Sequence, residues 1–273
     1  MPLSITTLND LLARLPMPIT AAIGLSLRVA RATNPPVGLH ELDRAGRCAS
    51  CGRPSSFLLC SDRQVAAISR DWPYGQAVIR GLRSRENYFC LWCGRNYRMR
   101  GLASVARPWL QGARVYEPAE FGVFTREARR IARTYETSEY APHRSADLRE
   151  TPARHEDIQA LTFDDDSLDL VITSEVFEHV ADPWAGFREI HRVLRAGGRH
   201  IFTVPGLPWA RTASRDFAQP VLHIDPLRPK GSLVITDFGE DLPALLGPLG
   251  FETQVHHLPQ AEPVLTVFES TAV

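Results

Sequence analysis

The word Cys-x2-Cys-Gly-Arg occurs twice, as Cys48-Ala-Ser-Cys51-Gly52-Arg53 and Cys90-Leu-Trp-Cys93-Gly94-Arg95, with 38 residues between Cys51 and Cys90. In each copy two thiolates can reach one ion, and the glycine takes the turn that lets backbone N–H groups face sulfur. Two copies supply four soft ligands, the tetrahedral set of a structural zinc ion. Cys48, Cys51, Cys90 and Cys93 are therefore the expected Zn2+ ligands, and a site filled by four thiolates keeps no open position for substrate. Two observations oppose a disulfide framework: the cysteine count is five, and no secretory signal is recognisable. A thioredoxin-like pair would need one such word, not two. The fifth cysteine, Cys60, reads as a buried small apolar residue.

The segment between the words carries an apolar helical pattern at Val65, Ile68, Val78, Ile79 and Leu82. From Glu41 to Gly101 there are 11 arginines against five acids, a local charge of about +6 in a chain whose net charge is zero. Overall neutrality argues against non-specific coating of nucleic acid, while a local basic face remains compatible with an anionic ligand. Lys230 is the only lysine among 31 basic residues, which nearly excludes Schiff-base or P-loop lysine chemistry. Upstream, the uncharged stretch Leu15–Leu27 is interrupted by Pro16 and Pro18 and is shorter than the roughly 20 apolar residues of a spanning helix. No basic segment precedes it as in a signal peptide. It reads as an amphipathic helical arm, and the protein is expected to be cytoplasmic. The predicted division is an N-terminal helical arm over 1–38, a zinc-ribbon domain over 39–103 and a larger domain over 104–273.

From about Ser104 the pattern changes to short apolar runs alternating with helical periods, the mark of an α/β sheet. Strands are predicted at Arg114–Glu117, Glu136–Tyr140, Leu168–Ser174, Arg199–Val204, Phe251–His256 and Val264–Glu269. The run Leu168-Asp-Leu-Val-Ile-Thr-Ser174 is apolar enough for a strand covered on both faces. Helices are predicted at Thr125–Tyr135, from Asp182 with Pro183 at its first position, and at about Asp241–Leu249. In the second of these, Trp184, Phe187, Ile190 and Leu194 fall at helical spacing, and Gly197-Gly198 marks its end.

The stretch Asp157-Ile-Gln-Ala-Leu-Thr-Phe-Asp-Asp-Asp-Ser-Leu-Asp169, then Ser174-Glu175-Val-Phe-Glu178-His179-Val, then Arg192-Val-Leu-Arg-Ala-Gly-Gly198 resembles class I S-adenosylmethionine-dependent methyltransferases. The resemblance covers roughly residues 104–273. The order of two cysteine words, Arg85-Glu86-Asn87 between them and this domain behind is similar to a zinc-ribbon-bearing subgroup. It implies a Rossmann-like methyltransferase sheet with a small N-terminal zinc-ribbon domain, and S-adenosylmethionine as cofactor. By the same resemblance, Glu139 at the end of the second strand holds the ribose hydroxyls, as a carboxylate does in related dinucleotide folds. Asp157 takes the adenine amino group with the Ile158 backbone beside it. Ser174 and Glu175 end the fourth strand, where ligands sit in open α/β sheets. Glu117 matches the acid ending the first strand. The loop after it, Glu117-Pro-Ala119-Glu-Phe-Gly122, departs from the family in retaining one glycine of the usual three; Ala119 and Gly122 are its expected backbone contacts to the cofactor.

Methyl transfer needs positioning of the acceptor and removal of its proton. Candidate bases are His223, in Val-Leu-His-Ile-Asp-Pro on a loop fixed by Pro220, Pro226 and Pro229, together with His179 and Glu175. The segment Asp164-Asp165-Asp166 reads as a solvated turn rather than a metal site. A small-molecule or sugar/glycan acceptor is the expected substrate, with a homodimer as one arrangement. Two alternatives stay open: an RNA methyltransferase reading nucleic acid through the ribbon and aromatics such as Trp72, Tyr74, Tyr88, Trp92 and Tyr97, or a non-catalytic interaction protein that keeps the fold.

Overall fold

The structure, a computed structural model, describes residues 42–43, 47–54, 57–59, 86, 88–90, 92–119, 122–140, 154–205, 211–215, 218, 220–225, 228–258 and 265–273. The predicted N-terminal arm, the apolar pattern from Val65 to Leu82, Cys60, Trp72 and Tyr74 lie outside the described residues. The described chain divides into two compact units. One draws on Met1–Ala103, Val123–Ala128 and Leu258–Leu265, the other on Ser104–Gly122, Arg129–His257 and Thr266–Val273.

In the first unit, β1 (Leu42–Asp43), β2 (Phe57–Leu59) and β3 (Tyr88–Cys90) form an antiparallel sheet in that order. Its register sets Phe57 opposite Cys90, so the sheet draws the two cysteine words to the same place. Helix α1 (Tyr97–Ala106) starts directly behind the second word. Asn96 caps it, its Oδ1 accepting from the Met99 N–H at 2.9 Å while its amide donates to Glu86.

In the second unit, β4 (Arg114–Glu117), β5 (Thr134–Glu139), β6 (Arg154–His155), β7 (Leu168–Ser174) and β8 (Leu194–Thr203) build the parallel part of a seven-stranded sheet. Short strands β9 (Ala213–Ser214), β10 (Leu222–Asp225), β11 (Arg228–Leu233) and β12 (Thr236–Asp237) pair outside it, β10 with β11 and β9 with β12. Strands β13 (Phe251–Leu258) and β14 (Leu265–Ala272) complete the main sheet. The order is β13-β14-β8-β7-β4-β5-β6, with β14 antiparallel to β8. This mostly parallel sheet with flanking helices resembles the Rossmann-like methyltransferase fold expected from the sequence. Chain order runs outward from β4 through β5 and β6, then resumes on its other side at β7. The carboxyl ends of β4 and β7 thus flank a topological switch point.

The apolar runs became strands where they were expected. Leu168–Ser174 is β7, with Leu170, Val171 and Ile172 wholly buried. Helix α2 (Arg126–Arg129) is one turn long, whereas the spacing had suggested a helix to Tyr135. Thr125 does start it, accepting from the Ala128 N–H. The chain then leaves the helix because the Arg133 N–H donates to the Ala113 carbonyl and the Ile131 carbonyl accepts from Gly112, which feeds the backbone into β5.

Helix α3 (Pro183–Val193) has the predicted start, with Asp182 Oδ1 accepting from the Ala185 N–H at 3.0 Å and Pro183 at the first position. Its end differs. Leu194 already has extended backbone and opens β8, so Gly197-Gly198 do not cap the helix. Instead they sit in a bulge: Leu168 faces Leu194 and Leu170 faces Arg199, with Gly197 at φ +74°. Helix α4 (Leu242–Leu246) ends in a 3-10 turn, Gly247–Leu249.

The core of this unit packs α3, through Phe187 and Ile190, against Tyr116, Val171, Phe202 and Phe268 of the sheet. Within it lies His200, wholly buried, its Nε2 2.9 Å from the Thr173 hydroxyl and its ring stacked on Phe202. Burial pulls its pKa from the ordinary 6.5 down to about 3. The native imidazole is therefore neutral while the unfolded one takes up a proton below pH about 6.5. Stability from this group is full above that pH and is lost as pH falls toward 3, by up to about 1.4 kcal/mol per pH unit. Denaturant melts across this window should show a shallower pH slope in His200→Gln than in the unmodified chain.

Candidate functional site

The two cysteine words fold into the same turn. Gly52 N–H donates to the Cys48 carbonyl at 2.7 Å and Gly94 N–H to the Cys90 carbonyl at 2.9 Å. Cys48 N–H and Cys90 N–H reach the Arg53 and Arg95 carbonyls, each at 2.9 Å. Both glycines occupy the left-handed region, at φ +73° and +69°, which is why each word carries glycine there. The four sulfur atoms lie within 4.8 Å of one another, and none is in a disulfide. Cys48 and Cys93 Sγ are 3.8 Å apart, close to the edge of about 3.8 Å of a tetrahedron with metal–sulfur bonds near 2.3 Å. Sharing protons with one another, and then burial, push the Cys48 and Cys93 thiols well up. Hydrogen bonding from Cys48 lowers Cys51 to about 7. Four thiolates cannot ionise side by side unaided, so the donor set fits a soft cation.

In the second unit, three of the expected cofactor positions lie at carboxyl strand ends, Glu117 at β4, Glu139 at β5 and Ser174 at β7, and the candidate base Glu175 follows Ser174. Asp157 and Ile158 follow β6. Glu117 is buried and turned inward. Its Oε2 accepts from the Tyr135 hydroxyl and lies 3.5 Å from Arg129 Nη2. Burial, then the Glu117 charge, holds the Tyr135 phenol well above its usual range, so it remains a donor. Ala119 N–H bonds back to the Glu117 carbonyl at 2.7 Å.

The surviving glycine of that loop is explained by the same carboxylate. A Cβ on Gly122 would lie 1.8 Å from Glu117 Oε2, so the loop needs glycine to pass over the acid. Glu139 stands in register with His155, on whose ring Tyr140 stacks at 5.9 Å. Asp157 Oδ1 accepts from the backbone N–H and side-chain amide of Gln159, and Gln159 Oε1 accepts from the Asp182 N–H. The acid thus shapes the turn that leads to α3. Ile158 buries its side chain in the core, leaving its backbone to the turn. Glu175 adopts φ +56°, rare for a residue with a Cβ, a strain that clusters at functional sites.

The residues that read as family motifs are tied together mechanically. Arg192 donates to the Phe163 and Leu161 carbonyls, each at 2.9 Å, to Asp165, and to both oxygens of Glu189. Glu189 in turn accepts from the Leu161 N–H. Asp169 is chelated by Arg114 and Arg195. Although burial opposes it, their hydrogen bonds hold its carboxyl far below the usual range. The aspartate run is an exposed turn, as expected, with Asp165 paired to Arg192.

The candidate bases His179 and His223 come together, their rings 5.1 Å apart edge to face. His223 lies on β10 rather than on a loop, facing Ser232 of β11. Between them sits Glu178, which precedes His179 in the Glu-His-Val motif and has no role assigned from the sequence. Its side chain is wholly buried, with Oε1 3.4 Å from His179 Nε2 and 3.5 Å from His223 Nδ1. The detectable signal was a carboxylate inside the apolar turn Val176-Phe177-Glu178-His179-Val180. Glu175, the third candidate base, immediately precedes that turn. Of the aromatics suggested for nucleic acid, Tyr97 is core while Trp92 is exposed beside Arg53.

Residues 121–202 match the family model described as a methyltransferase domain. An uncharacterized 37.1 kDa protein in transposon TN4556 of Streptomyces fradiae is 37% identical over 75 residues, which are 28% of this chain and 22% of that protein. The chain thus spans under a quarter of that relative's length. An S-adenosylmethionine-dependent methyltransferase from Mesorhizobium loti superposes with TM-score 0.44 at 18% identity, over 63% of this chain and 96% of that one. A 1,6-didemethyltoxoflavin-N1-methyltransferase from Burkholderia thailandensis, solved with S-adenosylhomocysteine, does so with TM-score 0.40 at 16% identity, over 64% and 77%. Among the described residues no helix is long and apolar enough to cross a membrane.

The Gly122–Glu117 contact generates a double-mutant test. Gly122→Ala should cost about 1–3 kcal/mol by overpacking and far less in a Glu117→Ala background, measured by denaturant melts. Equal costs in both backgrounds would remove the carboxylate as the reason for the glycine.

Proposed function

We propose that the chain is an S-adenosylmethionine-dependent methyltransferase acting on a small-molecule or sugar/glycan acceptor. The observation that carries the reading is the set of carboxylates, Glu139, Asp157 and Glu175, at or just beyond the carboxyl ends of the parallel strands β5, β6 and β7, on either side of β4 at the switch point. That is where open α/β sheets bind nucleosides. The match of residues 121–202 to a methyltransferase domain supports it.

In this reading Glu139 accepts the two ribose hydroxyls, next to the Tyr140–His155 ledge. Asp157 and the Ile158 backbone take the adenine edge, with Asp157 sharing its oxygens between ligand and Gln159. Ala119, Gly122 and Ser174 line the amino-acid end, while Glu117 stays inside, setting the path of the loop. The cofactor supplies an electrophilic methyl group. The chain's own task is to hold the acceptor in line and to accept its proton. His223 is the proposed base, half-exposed on the β10–β11 hairpin, with His179 as its neighbour. Zn2+ held by Cys48, Cys51, Cys90 and Cys93 is structural here, with the 39–103 ribbon as a separate module.

A reading as an RNA methyltransferase draws on exposed Trp92 with Arg53 beside it. It is the weaker of the two because Tyr97, another aromatic of that group, is core.

Calorimetric titration of zinc-replete protein with S-adenosylhomocysteine tests the proposal. Micromolar binding is expected, weakened at least about tenfold in Glu139→Ala by loss of charge-assisted hydrogen bonds. His223→Ala should keep that binding and lose turnover by about 10²-fold or more. Absence of binding by the unmodified chain would leave a methyltransferase fold serving as an interaction module.

A further inference from the structure

We propose that Glu178, His179 and His223 form a binding site for a divalent first-row transition metal, with a ligand set that shares no residue with the four cysteines. Three side chains there offer a carboxylate oxygen and two imidazole nitrogens within 4.8 Å of one another.

The first argument is the state of Glu178. Its carboxylate is wholly buried, and among the described residues neither oxygen has a hydrogen-bond partner. A buried carboxylate without donors is costly unless a cation neutralises it. The nearest polar atoms are the two imidazole nitrogens, and at 3.4 and 3.5 Å they stand too far for a normal hydrogen bond. Those separations instead match the edge of a tetrahedron about a metal with ligand bonds of about 2.0–2.1 Å, which is roughly 3.3–3.4 Å.

The second argument is tautomeric. His179 Nδ1 lies 2.7 Å from the Leu233 carbonyl. A carbonyl only accepts, so Nδ1 carries a proton and Nε2 is the nitrogen that faces Glu178, free to ligate an ion there. A cation placed there would be shared by the Nε2 lone pair and the Glu178 carboxylate. A ligating histidine whose second nitrogen donates to a backbone carbonyl is the usual outer support of a metal site.

The support is built into the fold. Ile235 N–H donates to the Glu178 carbonyl at 2.7 Å, tying this turn to the segment behind β11. Gly231, at φ +78°, lets β11 approach the His223 carbonyl, where a Cβ would lie 2.6 Å away. Two imidazoles and one carboxylate suit Zn2+ or Fe2+ and leave coordination positions open. His179 and His223 are 22% and 31% exposed at their side chains, so an outside ligand can reach those positions. If the methyl-transfer reading holds, an acceptor hydroxyl would bind there with its pKa lowered and lose its proton to solvent, so that His223 would serve as a ligand rather than as the base. Metal binding itself does not rest on that reading.

The test is zinc content by mass spectrometry of full-length protein, loaded with Zn2+ and dialysed. The unmodified chain should retain about one zinc more per chain than Glu178→Gln or His223→Ala, as expected for loss of one ligand from a three-ligand site. Cys51→Ser should lower the content independently. Co2+ titration of the unmodified chain provides a readout free of any folding defect. Two spectrally distinct steps are expected, one with thiolate charge-transfer bands and one with weak d–d absorption alone. Equal zinc content in unmodified chain and both variants, or a single thiolate-only step, would overturn the site. Failure of S-adenosylhomocysteine binding would leave these readouts untouched.

Discussion

The Arg192 guanidinium fixes the geometry on which the rest of the larger unit depends. It projects from the last turn of α3 and binds the turn before β7 at two backbone carbonyls and one carboxylate, while Glu189 of the same helix takes a backbone N–H of that turn. A planar fork of donors suits such a bracket, which a lysine point charge could not form. The bracket sets the height of β7 against α3, and through β7 the level at which the neighbouring strands end. Asp169 repeats the device one strand lower, joining Arg114 at the start of β4 to Arg195 at the start of β8. The carboxyl ends that carry Glu117, Ser174 and Glu175 are thus set by arginine–carboxylate brackets at the opposite ends of the strands.

Two kinds of carboxylate result. Glu117 and Asp157 are engaged by the protein itself, one by Tyr135 and Arg129, the other by Gln159, so they shape loops as much as they offer ligand contacts. Glu178 is different, because burial has removed water and among the described residues neither of its oxygens has a hydrogen-bond partner. A carboxylate in that condition belongs to a site whose remaining partner is a cation or a proton. The two imidazole nitrogens set 3.4 and 3.5 Å from its Oε1, at tetrahedral edge distances, suit the cation.

The sheet was legible where hydrophobicity alone decides, as in β4 and β7, whose central residues are buried on both faces. The start of α3 was legible because Asp182-Pro183 is a local signal. Local reasoning failed at Thr125–Tyr135, where Ala128, Ile131, Ala132 and Tyr135 mimic a helical stripe. Ile131 is 37% exposed and the backbone is claimed by Ala113 and Gly112, contacts that no local pattern encodes. The same holds at Gly197-Gly198, where a strand bulge and a helix cap ask for the same residue. In the candidate site, the cysteine words were readable from spacing, and their matched turns follow from it. The pairing of Glu178 with His223, 45 positions on, depends on the β10–β11 hairpin returning over the turn, and no periodicity announces that.

The central claim is that an adenosyl ligand binds across the carboxyl ends of β4, β5 and β7. Hydrogen exchange of backbone amides, read with and without S-adenosylhomocysteine, tests it most directly. The account predicts added protection at Ala119, Glu139–Tyr140, Asp157–Ala160 and Ser174–Glu175, with the core of β8 unchanged. Protection confined to other segments, or none at saturating ligand, would contradict it.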